Sequence, residues 1–425
     1  MTPRSHRVIF LNRYFYPDHS ATSELLSDLA FGLSRRGFDV AVITSRLRYD
    51  DTENLLLPHE TINGVEVYRV WSSRWGRHRL LGRVVDYASF YITAGTRLWR
   101  VARRSDIIVS KTDPPLVSVV AACIAWLRGA KLINWQQDIF PEVAEALQLG
   151  GDVGRAGFAL LRFPRNWSLR RASFNVVVGD RMAETVLQFG IAPESIRTLP
   201  NWADGKLITP VKASQNSLRA AWGLKDDFVV GYAGNLGRAH EIETVLGAMQ
   251  ALDQCSLASP QDQAAKSIQF LFIGGGALRG RLEEEAKKRK LTHVQFREYQ
   301  PREQLASTLC AADVHFVSLN PSLEGLIVPS KIYAIAAAGR PAIFIGDPSG
   351  EIAQILNKAG CGFTVTPHDI TELKHRILEL ARSPELVDIM GARARAAFEQ
   401  QWDKTIALHK WERLLAELID SAANA

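Results

Sequence analysis

The sequence predicts an α/β protein of two doubly wound domains, and three observations predict it. The chain has 425 residues, too many for one ordinary core and suited to two domains of roughly 200 residues. Short apolar runs alternate with longer amphipathic segments throughout, the pattern of parallel sheets covered by helices. That alternation breaks once, at Pro200-Asn201-Trp202-Ala203 and the polar stretch 204–217, and then restarts. Two such domains would face each other across a cleft.

Arg7–Leu11 opens the chain as a short strand, not as the apolar core of a signal peptide. Thr22 to Arg36 carries helical periodicity and stops at Gly37. Val40–Thr44, Val65–Val70, Ile107–Ser110, Lys131–Asn134 and Asn175–Val178 complete the strands of the first domain. Phe228–Ala233, Ile268–Gly274, Val294–Phe296, Val314–Val317 and Ala342–Ile345 supply the second. Trp402–Ile419 has apolar residues at helical spacing. The limits read 1–203, 204–398 and a terminal helical segment, 399–425. No stretch reaches the ~18 uninterrupted apolar residues that span a bilayer; Pro115 to Leu127 suits a buried helix. Cys123, Cys255, Cys310 and Cys361 form no CxxC pair and read as reduced thiols of a cytoplasmic protein.

The net charge of +6 is unevenly placed. Residues 1–200 hold 26 Lys+Arg against 19 Asp+Glu, whereas the remainder holds 25 against 26. Nine arginines and only Glu66 and Asp86 fall within residues 66–104. Such asymmetry points to an anionic partner. Leu80, Val84, Tyr87, Tyr91 and Leu98 share one helical face; Arg79, Arg83, Asp86, Arg97, Arg100 and Arg104 gather on the other. Trp71, Trp75 and Trp99 lie nearby, as do Phe163, Arg165, Trp167, Arg170 and Arg171 in a later segment. Two readings stand: an Arg-edged helix in a membrane interface, or a helix packed on its own sheet with solvated arginines. Nucleic acid fits poorly, because no recognition motif accompanies the basic run.

The densest signal is Ser322-Leu-Glu324-Gly325-Leu-Ile-Val-Pro329-Ser330-Lys331 running into Ile332 to Ala338, Gly339, Pro341 and the apolar run 342–345. It reads as a carboxylate-bearing loop, a short Ala-rich helix stopped by Gly339, and a core strand. Glu324 could meet sugar hydroxyls, helix-start amides an anion, and Lys331 a phosphate. This segment resembles the donor-binding motif of the family 4 glycosyltransferases, in their bacterial polysaccharide and O-antigen branch, where Pro-Ser-Lys precedes the helix and Gly-x-Pro follows it. Many members carry Glu-x7-Glu; here Glu324 fills the first position and Ile332 the second, so the usual ribose contact is missing. The resemblance implies the GT-B fold, with two Rossmann-like domains and a terminal helix crossing back to the first.

Four further motifs align with it. Gly234-Asn235-Leu236-Gly237-Arg238 follows Phe228–Ala233 and precedes a helix starting near Glu241, the setting of a phosphate-binding turn or of a plain tight turn with a solvated Arg. His240 reads as a donor contact or a surface residue. Phe272-Ile-Gly274-Gly275-Gly276 resembles the family's second glycine turn, which would leave backbone groups of Tyr299 and Gln300 to read the base. Glu351 opens a helix and becomes the ribose partner in place of Ile332. In the first domain, Asp138 in Trp135-Gln136-Gln137-Asp138-Ile139-Phe140-Pro141-Glu142 follows a core strand. It reads as the group orienting the acceptor hydroxyl or as a helix N-cap. Ser20, Ala21 and Thr22 stand where relatives have paired glycines. No G-x-G-x-x-G fingerprint appears, which argues against a dinucleotide oxidoreductase.

The resemblance implies a retaining, metal-independent transferase needing no cofactor, with Asp138, Glu324, Arg238 and Lys331 as its working residues. The donor is a nucleotide diphosphate sugar, read as UDP-linked with an N-acetylated or deoxy hexose. The acceptor is a polyprenyl diphosphate-linked saccharide, met at the inner face of the cytoplasmic membrane. Two rivals remain: a non-hydrolysing sugar-nucleotide 2-epimerase on the same architecture, and a non-catalytic partner that only binds nucleotide sugar or lipid.

Overall fold

The computed structural model describes residues 6–49, 51, 53–76, 80–149, 154–258 and 268–423. They divide into two compact units, one of residues 1–200 with 407–425 and one of residues 201–406.

Unit 1 is built on an eight-stranded sheet in the order β3-β4-β2-β1-β5-β6-β7-β8. Its strands are β1 (Arg7–Leu11), β2 (Asp39–Ser45), β3 (His59–Ile62), β4 (Val65–Val70), β5 (Ile107–Ser110), β6 (Lys131–Trp135), β7 (Phe174–Val177) and β8 (Ile196–Thr198). All neighbours pair in parallel except β3 with β4. That hairpin was not read from the sequence, although Asn63-Gly64 carries the signal. Both residues have positive φ, 50° and 80°, as a two-residue primed turn requires. Helices α1 (Ala21–Arg35), α2 (Leu80–Val101), α3 (Val117–Arg128), α4 (Glu142–Ala146), α5 (Gly154–Arg171) and α6 (Asp180–Gln188) join the strands.

Unit 2 holds a six-stranded, all-parallel sheet ordered β11-β10-β9-β12-β13-β14. The strands are β9 (Phe228–Ala233), β10 (Ile268–Ile273), β11 (Val294–Arg297), β12 (Val314–Ser318), β13 (Ala342–Ile345) and β14 (Gly362–Val365). Its helices are α7 (Ser217–Ala221), α8 (Glu243–Ala258), α9 (Arg279–Lys288), α10 (Leu305–Cys310), α11 (Lys331–Ala337), α12 (Glu351–Ala359), α13 (Ile370–Arg382) and α14 (Pro384–Gln401). β13 is buried along its whole length, because helices cover both faces of a parallel sheet and leave no polar face. β14 pairs with it so closely that a Cβ at Gly362 would lie 1.9 Å from the Ala342 carbonyl oxygen.

The last helix, α15 (Lys404–Ala423), joins unit 1 from residue 407 onward. There Trp411 meets Trp135 edge-on at 4.8 Å, both almost fully buried. Gly32 of α1 makes room for it: a Cβ there would sit 2.4 Å from a Leu408 methyl.

In both sheets the strand order reverses beside the first strand, between β1 and β5 and between β9 and β12. The crevice outside the carboxyl ends at such a reversal is where doubly wound sheets take their ligands. The loops that matter in each unit are therefore those after β1 and β5, and those after β9 and β12.

Candidate active site

In unit 2, two glycine turns interlock at the reversal point. Gly234, Gly274 and Gly276 all adopt φ between 117° and 127°, a region closed to residues with a Cβ. The Gly234 amide donates to the Ile273 carbonyl (2.8 Å) and the Leu236 amide to that of Gly275 (2.7 Å). A Cβ on Gly274 would stand 2.5 Å from the Gly234 oxygen, and one on Gly276 2.5 Å from Asn235 Oδ1. The guanidinium of Arg279, at the start of α9, reaches the Gly274 carbonyl and pairs with Glu298 at 2.7 Å. Tyr299 lays its ring against Gly274 and Gly275 while remaining largely exposed.

Lys331 opens α11 and points back at the first of these turns. Its Nζ donates to the Asn235 carbonyl (3.0 Å), lies 3.5 Å from His240 Nε2 and stands 5.0 Å over the Tyr232 ring. Among the described residues no carboxylate lies within ion-pair distance of it. Burial alone pushes its ammonium down to about 8. His240 is half-buried rather than a surface residue. Its Nδ1 contacts the Ser318 carbonyl at 2.7 Å, an arrangement that makes Nδ1 the donor and leaves Nε2 to face Lys331. Burial and the neighbouring ammonium hold this imidazole down at about 4, so it is neutral at physiological pH. Arg238 is exposed and has no ion pair or side-chain hydrogen bond among the described residues. Gly237 and Asn235 complete the turn. The helix expected near Glu241 begins at Glu243, because the Glu241 carboxylate itself caps the amides of Glu243 (2.6 Å) and Thr244 (3.0 Å). Those amides are spoken for, so Lys331 and Arg238 carry the positive charge of this turn.

Glu324 follows a 3-10 turn (Pro321–Leu323) after β12. Its Oε1 accepts the Glu351 amide at the start of α12 (2.8 Å), and Gly350 lets it approach: a Cβ there would lie 2.4 Å from Oε2. Oε2 is buried without a hydrogen-bond partner. Burial raises the Glu324 carboxyl despite the amide bond, and Asp347 and Glu351 add to the rise. Glu324 and Glu351 thus meet at one helix start, a link 27 residues apart in sequence. Ile332 is 1% exposed, so the position of the second motif carboxylate belongs to the core.

In unit 1, a charged cluster occupies the other reversal point. Asp138, after β6, accepts a hydrogen bond from Thr112 Oγ1 (3.1 Å). It is not a helix cap: α4 starts at Glu142 behind Pro141. Lys111 and Asp113 stand in the loop after β5, and Arg13 in the loop after β1. The Arg13 amide donates to the Asp113 carbonyl (2.7 Å), and its guanidinium lies 5.3 Å over the rings of Tyr14 and Tyr87. Lys111 is 1% exposed; its Nζ donates to the Thr22 carbonyl in the first turn of α1 (2.9 Å) and sits 3.8 Å over the Trp135 ring. Burial pushes this ammonium down to about 7, against the pull of Asp138 and Asp113. Burial lifts the Asp113 carboxyl to about 6, with Arg13 and Lys111 opposing and Asp138 and Asp18 adding. Burial raises Asp138 also, opposed by the Thr112 bond and Lys111. Sequence reading found Asp138 and missed Lys111 and Asp113, although the signal was the same: polar residues directly after a core strand.

Of the basic run, Arg83 and Arg100 are exposed on α2 and Arg104 just beyond its end, whereas Arg97 is half-buried over the Tyr68 ring (5.2 Å). Arg79 lies outside the described residues. Of the expected apolar face, Leu98 enters the core and Tyr91 packs against it, joined by Phe90 and Ala94, while Val84 is exposed together with Val85, Ile92 and Trp99. Asp86 faces inward, accepting from Ser73 Oγ (2.6 Å) and the Trp75 amide (2.9 Å). Next to α2, α3 exposes Trp126 and Leu127, and α5 exposes Leu160 and Phe163.

Two family models match the chain: a glycosyl transferase 4-like domain over residues 22–202 and glycosyl transferases group 1 over residues 214–397. "Probable glycosyltransferase WbjE" of Pseudomonas aeruginosa is 27% identical over 350 residues, 82% of this chain and 84% of that protein. A colanic acid biosynthesis glycosyl transferase so named in Escherichia coli K12, WcaI, is 24% identical over 331 residues, 76% of each. Among solved structures, sucrose-phosphate synthase from Thermosynechococcus elongatus superposes with a TM-score of 0.75 at 18% identity, covering 98% of this chain and all of that one. HepE of Anabaena, solved with UDP and glucose, gives 0.70 at 16%, covering 97% and 100%. WaaG, described as involved in lipopolysaccharide biosynthesis, gives 0.65 at 16%, covering 94% and 97%. At these identities the structures speak for the fold alone.

Proposed function

Because both domains of this chain belong to the glycosyltransferases, we propose that it moves a hexosyl group from a nucleoside diphosphate sugar to a lipid-linked glycan in bacterial polysaccharide synthesis. The observation that carries the donor class is Lys331. It is a half-buried ammonium beside two glycine turns and the exposed Arg238, at the ligand crevice of unit 2, with no carboxylate within ion-pair distance among the described residues. Such a site holds uncompensated positive charge and favours a diphosphate. Uracil is the preferred base, on the strength of HepE having been solved with UDP-glucose. The polysaccharide setting rests on the names of WbjE and WcaI.

In this reading Lys331 and Arg238 stabilise charge on the departing diphosphate. The acceptor hydroxyl approaches on the face the diphosphate leaves, so the anomeric configuration is retained. Its proton passes to the leaving phosphate, with Asp138 orienting the hydroxyl. Glu324 keeps one oxygen for the transferred sugar, and Glu351, at the same helix start, is the ribose partner; backbone groups at Tyr299 read the base. The reaction needs no metal ion in this account.

The acceptor is a polyprenyl diphosphate-linked saccharide on the inner face of the cytoplasmic membrane. Support comes from exposed Trp71, Trp75, Ile92, Trp99, Trp126, Leu127, Leu160 and Phe163 interleaved with Arg83, Arg100, Arg103, Arg104, Arg170 and Arg171. Near an anionic leaflet each such arginine contributes about 1 kcal/mol. No helix of the described residues is long and apolar enough to cross a membrane. Incubation with UDP-sugars and lipid-linked saccharides tests the reading. A new lipid-linked glycoside is expected; an epimerised free nucleotide sugar, or binding without turnover, would replace it with one of the two rivals. Salt-sensitive sedimentation with anionic vesicles, weakened when Arg100, Arg103 and Arg104 become Gln, tests the surface; equal binding to neutral vesicles would contradict it.

A further inference from the structure

At the reversal point of unit 1 Lys111 is a charged group only 1% exposed, an amine that no substrate can touch. A fully buried lysine is costly unless it does something there. Its contacts describe what it does. The Nζ–Thr22 bond ties the loop after β5 to the first turn of α1, and the Trp135 ring seats the ammonium from below. Trp135 is itself wedged by Trp411 of α15, so the lysine rests on a rigid platform. The residue after it, Thr112, holds Asp138 by its hydroxyl, and the next is Asp113, whose carbonyl accepts the Arg13 amide. One short loop therefore connects α1, Arg13 and both carboxylates of the crevice.

We propose that Lys111 is a positioning residue for sugar transfer: its buried ammonium fixes the β5 loop against α1 and keeps the Asp113 and Asp138 carboxylates charged and aimed into the crevice of unit 1. This rests on the reading of Asp138 as the residue that orients the acceptor hydroxyl.

The charged and titratable groups bearing on the cluster come from every element around it. Arg13 and Asp18 lie in the loop after β1, Tyr87 and Tyr91 on α2, Lys111 and Asp113 after β5, and Asp138 after β6. For Asp113, Arg13 and Lys111 favour the ionised form while Asp138 and Asp18 oppose it; for Asp138, the Thr112 bond and Lys111 favour it. Burial already lifts both carboxyls, Asp113 to about 6, so loss of the Lys111 charge carries them toward neutral pH. A lysine that only filled space would leave that titration where it is.

The test is the pH dependence of kcat in the transfer assay for wild type, Lys111→Met, Lys111→Arg, Asp138→Asn and the double variant Lys111→Met/Asp138→Asn. Lys111→Met is expected to move the acidic limb upward by about one pH unit, roughly a tenfold loss of kcat on that limb. Lys111→Arg keeps the charge and leaves the limb in place. The double variant should be within about twofold of Asp138→Asn alone, because residues acting through one another are not additive. A folded Lys111→Met with the wild-type limb overturns the proposal, and so does a double variant that multiplies the two single losses. If Lys111→Met alone does not fold, the comparison of the double variant with Asp138→Asn decides: kcat within about twofold supports the proposal, and a further loss overturns it. The two failures are distinguishable. Asp138→Asn at wild-type kcat removes Asp138 from the reaction and this inference with it. Asp138→Asn that loses kcat while Lys111→Met keeps the wild-type limb overturns the inference alone.

Discussion

Each unit places one lysine at its sheet reversal, Lys111 buried and Lys331 half-buried, and the two differ in company. Lys111 in unit 1 sits among carboxylates: Asp113 and Asp138 act on it through space, and its direct contacts are a backbone carbonyl and an indole face. Lys331 in unit 2 has a carbonyl, a neutral imidazole and a phenol ring, with no acid to balance it. Burial depresses both ammoniums, to about 7 and about 8. A compensated buried charge organises its neighbours, whereas an uncompensated one awaits a ligand of opposite sign. In the proposed reading the surroundings separate a positioning lysine from an anion-binding one.

The comparison breaks most visibly at Lys331. Lys331→Met, and separately Arg238→Ala, should each lower kcat/KM for the donor by at least ~100-fold, about 2.7 kcal/mol of lost transition-state stabilisation. Steady-state kinetics with varied donor read this directly, and wild-type efficiency in either variant would remove that residue from the diphosphate site. Next in size is Ile332→Glu. Restoring the family's second carboxylate here buries an unpaired charge in the core and should lower unfolding free energy by about 2–3 kcal/mol. A thermal melt at or above the wild-type value would mean that the position opens to the ligand after all.

Asp138→Asn should lower kcat about tenfold while the donor KM stays within about twofold; a raised donor KM with intact kcat would move Asp138 to the donor side. The smallest effect is set by pH. In the proposed function the ammonium form of Lys331 binds the diphosphate, and burial brings its titration to about 8, so its charge is lost progressively as pH rises through that value. Donor KM should therefore rise severalfold between pH 7.5 and about 8.5–9 in wild type. In Lys331→Arg, where the charge persists, it should stay flat; parallel curves would show that another group titrates.

Much of unit 2 was legible because its signals are local. The stretch from Pro329 to Ile345 announces a helix, its Gly339 stop and a core strand within seventeen residues, and all three appear. Gly234 and Gly274 were legible as turns because only glycine takes their φ. What escaped depends on partners distant in sequence. Glu324 was read as a free sugar contact, yet half of its carboxylate is held by the start of α12. Lys111 gains its role from Thr22, Trp135 and Asp138, and no local pattern gathers these. The face of α2 was misjudged for a different reason: its core residues include the small Ala94, while the bulkier Val84, Val85 and Ile92 point outward. Apolar weight thus misled where packing distance decides. β3, β8 and β14 are short edge strands, and only β3 carried a clear signal, in its Asn63-Gly64 turn.

If the two lysines do different work, calorimetric titration of UDP into three proteins shows it most directly. Wild type should bind. Lys331→Met should bind at least ~30-fold more weakly, about 2 kcal/mol, and Lys111→Met should match wild type within about twofold. Equal affinity in wild type and Lys331→Met, or a loss confined to Lys111→Met, would contradict it.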